Sequence, residues 1–247
     1  MDITNNTILI TGGSAGIGFE IAKAFTAAGN QVIITGRDQQ RLDDALVQLP
    51  GAIGFKGDIS NEQDTAALVA SLIKDYPTLN LVVNNAGQAY KYDIANSENA
   101  FDKAQDEMLT NYLAVVRLNE KLLPLLKSQA TAAIVNVTSI VALVPGQLTT
   151  YSASKAALHS YSESLRIALE RSSGQVKVFE LMPPLVNTSF SAIINGHNGI
   201  PAAEVAADLI DALQNDKYEI HVGNTKHVYD LSLKSREEAL TLMNPVE

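Results

Sequence analysis

The sequence predicts a single-domain, doubly wound α/β fold in which helices cover both faces of one seven-stranded parallel sheet. Short β-branched apolar runs alternate with amphipathic segments along most of the chain, as in a succession of right-handed βαβ units. A glycine-rich turn directly follows the first of these runs. No repeat, low-complexity run or linker interrupts the 247 residues. We therefore expect one domain spanning residues 1–247, with strand order 3-2-1-4-5-6-7.

The composition excludes several classes of protein. The hydrophobic fraction of 46% and the charged fraction of 18% are those of an ordinary globular protein. With a net charge of −9 and no basic patch, a nucleic-acid partner is not expected. The absence of cysteine excludes disulfides and thiolate metal sites. No run approaches the ~18–20 apolar residues of a membrane-spanning helix, and residues 1–11 lack the basic segment of a signal peptide. We predict a cytoplasmic protein without a membrane partner.

The first strand, Thr7–Thr11, runs into a turn that combines glycine with the start of a helix. Residues 12–18 read GGSAGIG, and Ile17, Ile21 and Phe25 recur every four positions, as on one face of a helix. Such a turn lets a pyrophosphate approach backbone N–H groups at a helix N-terminus, where a Cβ would block it. The spacing TGxxxGxG differs from GxGxxG, and a mere tight connection is the alternative. In this context we predict phosphate binding.

The second strand, Gln31–Thr35, ends in Gly36-Arg37-Asp38. In dinucleotide folds an acid at this strand end accepts the ribose 2′-hydroxyl of NAD, whereas an arginine accommodates the 2′-phosphate of NADP. Gly36 occupies the position expected for the acid and Arg37 follows it, which favours NADP(H) over NAD(H). Asp38 could turn inward, although we expect it to cap the next helix. A solvated surface charge is the alternative for Arg37.

Two further strands bring polar residues to the same edge of the sheet. A helix from about 38 to 48 precedes the strand 52–56, and a helix capped by Asn61 precedes the strand 79–83. Ligands of such sheets bind outside the carboxyl ends of the strands. A turn with local hydrogen bonds is the alternative for the Asn-Asn-Ala-Gly that follows the fourth strand. By position alone, the candidates to line a cofactor cleft are Asp58, Ile59, Asn84 and Gly87.

A long helix and a fifth strand follow. The helix, roughly 99–128, places Asn111 among apolar positions, and a buried amide must find hydrogen-bond partners. A structural hydrogen bond within the core would satisfy it. The strand 132–137 delivers Thr138 and Ser139 at its carboxyl end, where catalytic groups collect in folds of this class.

The next helix carries a phenol and an ammonium four residues apart. Tyr151 and Lys155 then lie on one helix face, with β-carbons roughly 5–6 Å apart. A phenol titrates near ~10 in water, and a nearby cation lowers its pKa. The pair could handle protons near neutral pH. A tyrosine packed under a solvated lysine is the alternative.

The remaining chain completes the sheet. A sixth strand, 175–181, is followed by a polar segment, a helix at 201–214 and a seventh strand at 218–222. The polar segment, residues 186–199, is rich in Asn, Ser and Gly, which predicts a mobile substrate flap rather than a regular element. The tail from about residue 229 is predicted to be weakly helical.

Together these residues resemble the short-chain dehydrogenases/reductases. The resemblance rests on TGGSAGIG, NNAG, Asn111, Ser139 and the YSASK of residues 151–155, which follow the family's order and approximate spacing across essentially the whole chain. Residues 216–220, DKYEI, are similar to a bacterial subgroup associated with D-alanylation of teichoic acids. The resemblance implies a Rossmann fold and an oxidoreductase that transfers a hydride between NADP(H) and a carbonyl or alcohol substrate.

The resemblance also implies residue roles. Tyr151 would be the general acid/base, Lys155 would lower its pKa and bind the nicotinamide ribose, and Ser139 would polarise the carbonyl. Asn111 would hold a water that links Lys155 to solvent, and no metal is needed. The residues implied to surround the cofactor are Gly12, Ser14, Gly16, Ile17 and Gly18 at the diphosphate, Arg37 at the 2′-phosphate, Asp58 and Ile59 at the adenine, Asn84, Ala86 and Gly87 at the adjacent ribose, and Pro183, Val186 and Thr188 near the nicotinamide.

Two departures from the family pattern bear on function. Pro183-Pro184 stands where the family has Pro-Gly, which removes a backbone donor and fixes φ. The interval from Ser139 to Tyr151 is one residue shorter than usual. Thr138 would restore it, but adjacent strand residues face opposite ways, so Ser139 is preferred. A dinucleotide-binding sensor or scaffold without meaningful turnover is the alternative to an enzyme. Self-association through the long helices, as a dimer or tetramer, is expected.

Overall fold

The computed structural model describes residues 1–97, 99–172 and 174–245, and it confirms the predicted α/β architecture. The strands in chain order are β1 (Thr7–Ile10), β2 (Gln31–Gly36), β3 (Ile53–Lys56), β4 (Leu79–Asn84), β5 (Ala132–Val137), β6 (Val176–Met182), β7 (Val186–Asn187), β8 (Ile200–Pro201) and β9 (Glu219–His221). Seven of them form a parallel sheet in the order β3-β2-β1-β4-β5-β6-β9. This is the predicted order, because β9 is the seventh strand of that sheet.

Helices cover both faces of the sheet, as predicted. They are α1 (Gly16–Ala27), α2 (Gln39–Gln48), α3 (Glu62–Asp75), α4 (Ala100–Met108), α5 (Ala114–Lys127), α6 (Thr149–Ser172), α7 (Ala202–Gln214), α8 (Thr225–Lys234) and α9 (Arg236–Met243). Successive strand residues point to opposite faces. Ile8 and Ile10 therefore pack in one buried cluster with Phe25 of α1, whereas Leu9 packs in the other with Leu118 of α5.

The long helix predicted at 99–128 is divided by a wider turn. The π-helical segment Leu109–Leu113 separates α4 from α5, and Asn111 lies within it, fully buried. A π turn inserts an extra residue into a helix and is frequent at functional sites. The polar residue that stood out in the sequence therefore coincides with a local irregularity of the backbone.

The prediction that residues 186–199 form no regular element is wrong in part. β7 pairs in parallel with β8, and 3₁₀ turns at Phe190–Ile194 and Gly196–Asn198 lie between them. The buried hydroxyl of Ser191 donates to the first carbonyl of β7. It also packs against Gly196, where an added Cβ would come within 2.0 Å of the Ser191 Oγ atom. A hydrogen bond and a close contact thus order a segment whose composition indicated a loop.

The C-terminal tail is helical, as predicted, and its first helix begins earlier than expected. α8 and α9 pack beside the chain that follows β5, where Val144 and Val228 are buried in one small apolar cluster. Asn244 Nδ2 donates to the Pro145 carbonyl at 2.8 Å. Along the described ranges, no helix is both long and apolar enough to cross a membrane.

Candidate active site

A cleft of about 930 Å³ opens at the carboxyl ends of the parallel strands, where the sequence predicts ligand binding. It runs from the glycine turn, past the ends of the central strands, to α6 and the segment between β6 and α7. Most of the predicted site residues lie on its wall. These are Gly12, Ser14, Gly16, Ile17, Arg37, Asp58, Ile59, Ala86, Gly87, Ser139, Tyr151, Lys155, Pro183, Val186 and Thr188.

The start of α1 is suited to an anion. Gly12 and Gly16 have φ of 64° and 57°, a left-handed conformation that favours glycine. Side chains of Asp38 and Asn61 cap α2 and α3, but within the described chain no side chain hydrogen-bonds the first turn of α1 at its N-cap, Ala15. The N–H groups of an uncapped first turn and the helix dipole favour negative charge. A diphosphate fits this turn.

Two predicted cofactor contacts, Gly18 and Asn84, do not lie on the cleft wall. A Cβ on Gly18 would come within 2.6 Å of the Gly12 carbonyl oxygen, so this glycine permits close packing of α1 against the turn. Asn84 ends β4 facing the core, where its Nδ2 donates to Asn119 and Asn136 at 2.9 and 2.8 Å. The Asn84 side chain therefore faces away from the cleft, whereas the next residue, Asn85, lines it; a cofactor contact of Asn84 stays a prediction.

One end of the cleft lies at the carboxyl ends of β2 and β3 and carries exposed charge. Arg37 is 61% exposed; its guanidinium lies 3.8 Å from Asp58 Oδ2 and donates to Gln88 Oε1 at 3.3 Å. Asp38 accepts from the backbone of Arg41 at 2.9 Å, which confirms the predicted helix cap. The Arg41 side chain also lines this end.

Tyr151, Ser139 and Lys155 meet in the middle of the cleft. Burial raises the pKa of Tyr151 above its ordinary value, and the Ser139 side chain opposes that rise. Lys155 is 3% exposed, and its Nζ donates to the Val137 carbonyl at 2.7 Å. Burial lowers the pKa of Lys155 to about 8, against the opposing charge of Glu180.

This arrangement differs from the sequence expectation in one respect. Lys155 Nζ lies 5.7 Å from the centre of the Tyr151 ring and is directed to a strand carbonyl. Burial rather than the ammonium therefore dominates the pKa of Tyr151 and raises it, whereas the spacing of the two residues predicted a lower value. A protonated phenol is consequently the resting form at neutral pH.

Asn111 lies behind the cleft wall and makes structural hydrogen bonds. Its Oδ1 accepts from the Gln88 backbone at 2.8 Å, and its Nδ2 donates to the Gln88 carbonyl at 2.8 Å and to Ser154 Oγ at 2.9 Å. One turn earlier, the fully buried Glu107 accepts from the Tyr90 backbone at 2.8 Å, and burial raises the pKa of its carboxyl. Asn111 and Glu107 thus hold the backbone segment that follows β4 in place through hydrogen bonds.

A second buried acid lies behind Lys155. Glu180 of β6 is 1% exposed. It accepts from Thr138 Oγ1 at 2.6 Å and lies 2.9 Å from His159 Nδ1. This contact raises the pKa of His159, against the effect of burial. The Thr138 hydroxyl donates to Glu180, whereas the Ser139 side chain acts on the Tyr151 phenol and opposes the rise of its pKa.

The far end of the cleft is mostly apolar and includes residues that sequence reasoning missed. The C-terminal helix α9 contributes Met243, and the loop before α8 contributes Asn224; no motif marked either residue. In the described ranges no group of three or more acids and histidines could hold a metal ion. The other residues lining this end include Val141, Leu148, Leu185, Phe190 and Ile194.

Comparison with known proteins agrees with this geometry. A family model of short chain dehydrogenases matches residues 6–198. A Bacillus subtilis protein named "uncharacterized oxidoreductase DltE" is 38% identical over 253 residues, which cover all of both chains. This relative is consistent with the bacterial subgroup suggested by residues 216–220.

Two solved structures have the same fold. The short chain dehydrogenase of Burkholderia cenocepacia, in complex with NADP, is 26% identical, with a TM-score of 0.84 over 98% of each chain. A short chain dehydrogenase/reductase of Burkholderia phymatum, in complex with NAD, is 22% identical, with a TM-score of 0.87 over 100% of this chain and 98% of that one.

Proposed function

The chain belongs to the short-chain dehydrogenase/reductase family of oxidoreductases, and on that premise we propose that it transfers a hydride between NADP(H) and a carbonyl or alcohol substrate. The observation that carries the proposal is the convergence of Tyr151, Ser139 and Lys155 in one cleft with an uncapped, glycine-lined helix start. A purely binding protein has no need of a phenol, a hydroxyl and an ammonium that line the same space.

Tyr151 is the general acid in the direction of carbonyl reduction. Burial raises the pKa of its phenol, so the group holds its proton until charge develops on the substrate oxygen. The Ser139 hydroxyl, which lines the cleft with Tyr151, orients and polarises the same oxygen. General acid catalysis of this kind typically contributes about 10²–10⁴-fold in rate.

Lys155 places a positive charge near the Tyr151 ring, with its Nζ atom 5.7 Å from the ring centre. Its pKa of about 8 keeps the ammonium mostly protonated at neutral pH, and its hydrogen bond to Val137 fixes its position. A neighbouring cation favours the ionised phenol once the proton has been transferred. Asn111 and Glu107 are positioning residues, because they hold the Gln88–Tyr90 backbone beside the cleft.

The residues present fit a nicotinamide dinucleotide. Gly12, Ser14, Gly16 and Ile17 would hold the diphosphate, Arg37 would hold a 2′-phosphate, and Asp58 and Ile59 would hold the adenine. When bound, the dinucleotide supplies or accepts the hydride. The preference for NADP(H) is supported by Arg37 and by the crowding at Gly36, where a Cβ would lie 2.9 Å from Ser14 Oγ. An acid that could accept the NAD ribose would not fit there without displacing Ser14.

The test replaces the phenol and measures turnover. Wild type, Tyr151→Phe and the control Tyr161→Phe, on the same helix outside the cleft, are assayed for oxidation of NADPH with a panel of carbonyl compounds. We expect Tyr151→Phe to lower kcat at least about 100-fold while NADPH affinity is retained. The control Tyr161→Phe should remain active. Undiminished turnover by Tyr151→Phe would overturn the mechanism. Tight NADPH binding without turnover of any carbonyl by wild type would favour the sensor.

We also propose that the chain forms a homo-oligomer. Leu113, in the π-helical segment, and Ile167, on α6, are 49% and 48% exposed, and exposed patches of large apolar side chains favour a protein contact. Light scattering at micromolar concentration tests this, because a single species near the chain mass of 26.4 kDa would reject it. The cytoplasmic location remains a prediction.

A further inference from the structure

We propose that the substrate is uncharged and carries an alkyl or aryl chain beyond its carbonyl group. This inference rests on the proposed function and names the chemical class that the far end of the cleft accepts. Three features carry it: the residues beside Tyr151, the position of every charged side chain on the cleft wall, and the contribution of the C-terminal helix.

The wall next to the phenol is apolar. The Phe190 ring lies 5.9 Å from the Tyr151 ring, centre to centre, and is 44% exposed. A Cβ added to Gly146 would lie 3.3 Å from Val141 Cγ1 and 3.9 Å from Met243 Cε, so these side chains border the same space. Leu148 and Ile194 also line it. An exposed aromatic ring beside a reacting group favours contact with an apolar part of a ligand.

Apart from Lys155, the charged side chains on the described cleft wall lie at the other end of the cleft. Among the described residues on its wall, the charged side chains are Arg37, Asp38, Arg41, Asp58 and Lys155. The first four follow β2 and β3, at the edge of the sheet that β1 and β4 separate from β5 and β6. Lys155 lies in the middle and is buried, with its ammonium held by a strand carbonyl.

A substrate with a carboxylate or phosphate at its far end would therefore meet none of the cationic side chains on the described part of the cleft wall. The polar groups at that end are neutral, such as Gln147, Asn198 and Asn224. Burying an unpaired anion among such residues is strongly unfavourable. Each methylene group placed against the apolar wall, by contrast, improves binding by about fourfold. The wall selects for chain length and against terminal charge.

The first experiment compares matched ligands on the dinucleotide-bound protein. Binding of 1-octanol and of 8-hydroxyoctanoate is measured by calorimetry in the presence of NADP⁺, and turnover of octanal and 8-oxooctanoate is measured with NADPH. We expect at least about 100-fold preference for the uncharged member of each pair, and a rise in kcat/KM from butanal to octanal. Equal affinity for octanol and hydroxyoctanoate would overturn the inference.

A charge placed on the wall provides the second test. Met243→Lys puts an ammonium at the far end, whereas the matched control Leu242→Lys puts it on the next residue of α9, which is 48% exposed and does not line the cleft. Met243→Lys should improve 8-hydroxyoctanoate binding at least about tenfold and weaken octanol binding, and Leu242→Lys should change neither. Equal effects of the two substitutions would overturn the inference.

The two proposals fail in distinguishable ways. Selective octanol binding without turnover of any aldehyde would remove the proposed reaction and leave the class of ligand supported. Turnover of 8-oxooctanoate as fast as that of octanal would support the reaction and remove the proposed class of substrate.

Discussion

The guanidinium of Arg37 should determine the choice between NADP(H) and NAD(H), and Arg37→Ala tests this directly. A charge-assisted hydrogen bond contributes about 1.5–3 kcal/mol. Two observations reduce the free energy expected from this bond. The Arg37 side chain is 61% exposed, and ion pairs in contact with solvent are weak. A phosphate would also compete for the guanidinium with Asp58 and Gln88, which lie at 3.8 and 3.3 Å. We therefore expect a loss of about 1.4 kcal/mol, which is about tenfold in NADPH affinity.

The assay is a titration of NADPH and NADH by calorimetry on wild type, Arg37→Ala and the control Arg171→Ala. Arg171 is exposed and lies outside the cleft, so its replacement changes the net charge by the same amount without removing a side chain from the described cleft wall. NADH affinity should stay within about twofold for all three proteins, and the tenfold effect on NADPH should shrink in high salt. Arg41 lines the same end, so Arg41→Ala is measured too. Tighter binding of NADH than NADPH by wild type, or unchanged NADPH affinity in both cleft variants, would refute the reasoning.

Two further predictions concern stability. Gly18→Ala should destabilise the fold by about 1–3 kcal/mol in urea titrations, although alanine is the better helix former, because the new Cβ would lie 2.6 Å from the Gly12 carbonyl oxygen. Gly57→Ala, with its nearest contact at 3.4 Å, should be almost neutral, and equal effects would contradict this packing. Burial lowers the pKa of Lys155 from 10.5 to about 8, so the folded state binds fewer protons between these values. The stability of wild type relative to Lys155→Met should rise across this window, by up to about 3 kcal/mol, and a flat or falling difference would contradict it.

The sheet could be predicted because its strands are buried on both faces and read as continuous apolar runs. Residues at strand ends, such as Asp58, Gly87 and Ser139, followed from topology, since parallel strands deliver their carboxyl ends to one edge. Topology did not predict which of Asn84 and Asn85 lines the cleft. It depends on which face the last residue of β4 presents, and the hydrogen bond of Asn84 to Asn136 of β5 decides it.

Other parts of the site depend on contacts between distant segments. Met243 reaches the cleft only because α9 packs beside the chain after β5, and no periodicity reveals such packing. The spacing of Tyr151 and Lys155 predicted that the two side chains share one helix face. It did not predict the direction of the ammonium, which is fixed by a hydrogen bond to the Val137 carbonyl. Glu180 had a visible signal: it is an acid within an otherwise apolar strand run, VKVFELM, and such a residue must be paired when buried.

The π turn at Leu109–Leu113 has a consequence for helical phase. In an uninterrupted α-helix, Glu107, Asn111, Leu118 and Leu122 would share one side, because each residue advances by about 100°. The extra residue of the turn rotates everything after it by about that angle. The leucines can then face the sheet, while Glu107 and Asn111 hydrogen-bond the backbone that follows β4. Deleting one residue from this turn would therefore do more damage than substituting any, since it would realign the two halves and send either the polar pair or the leucines to the wrong side.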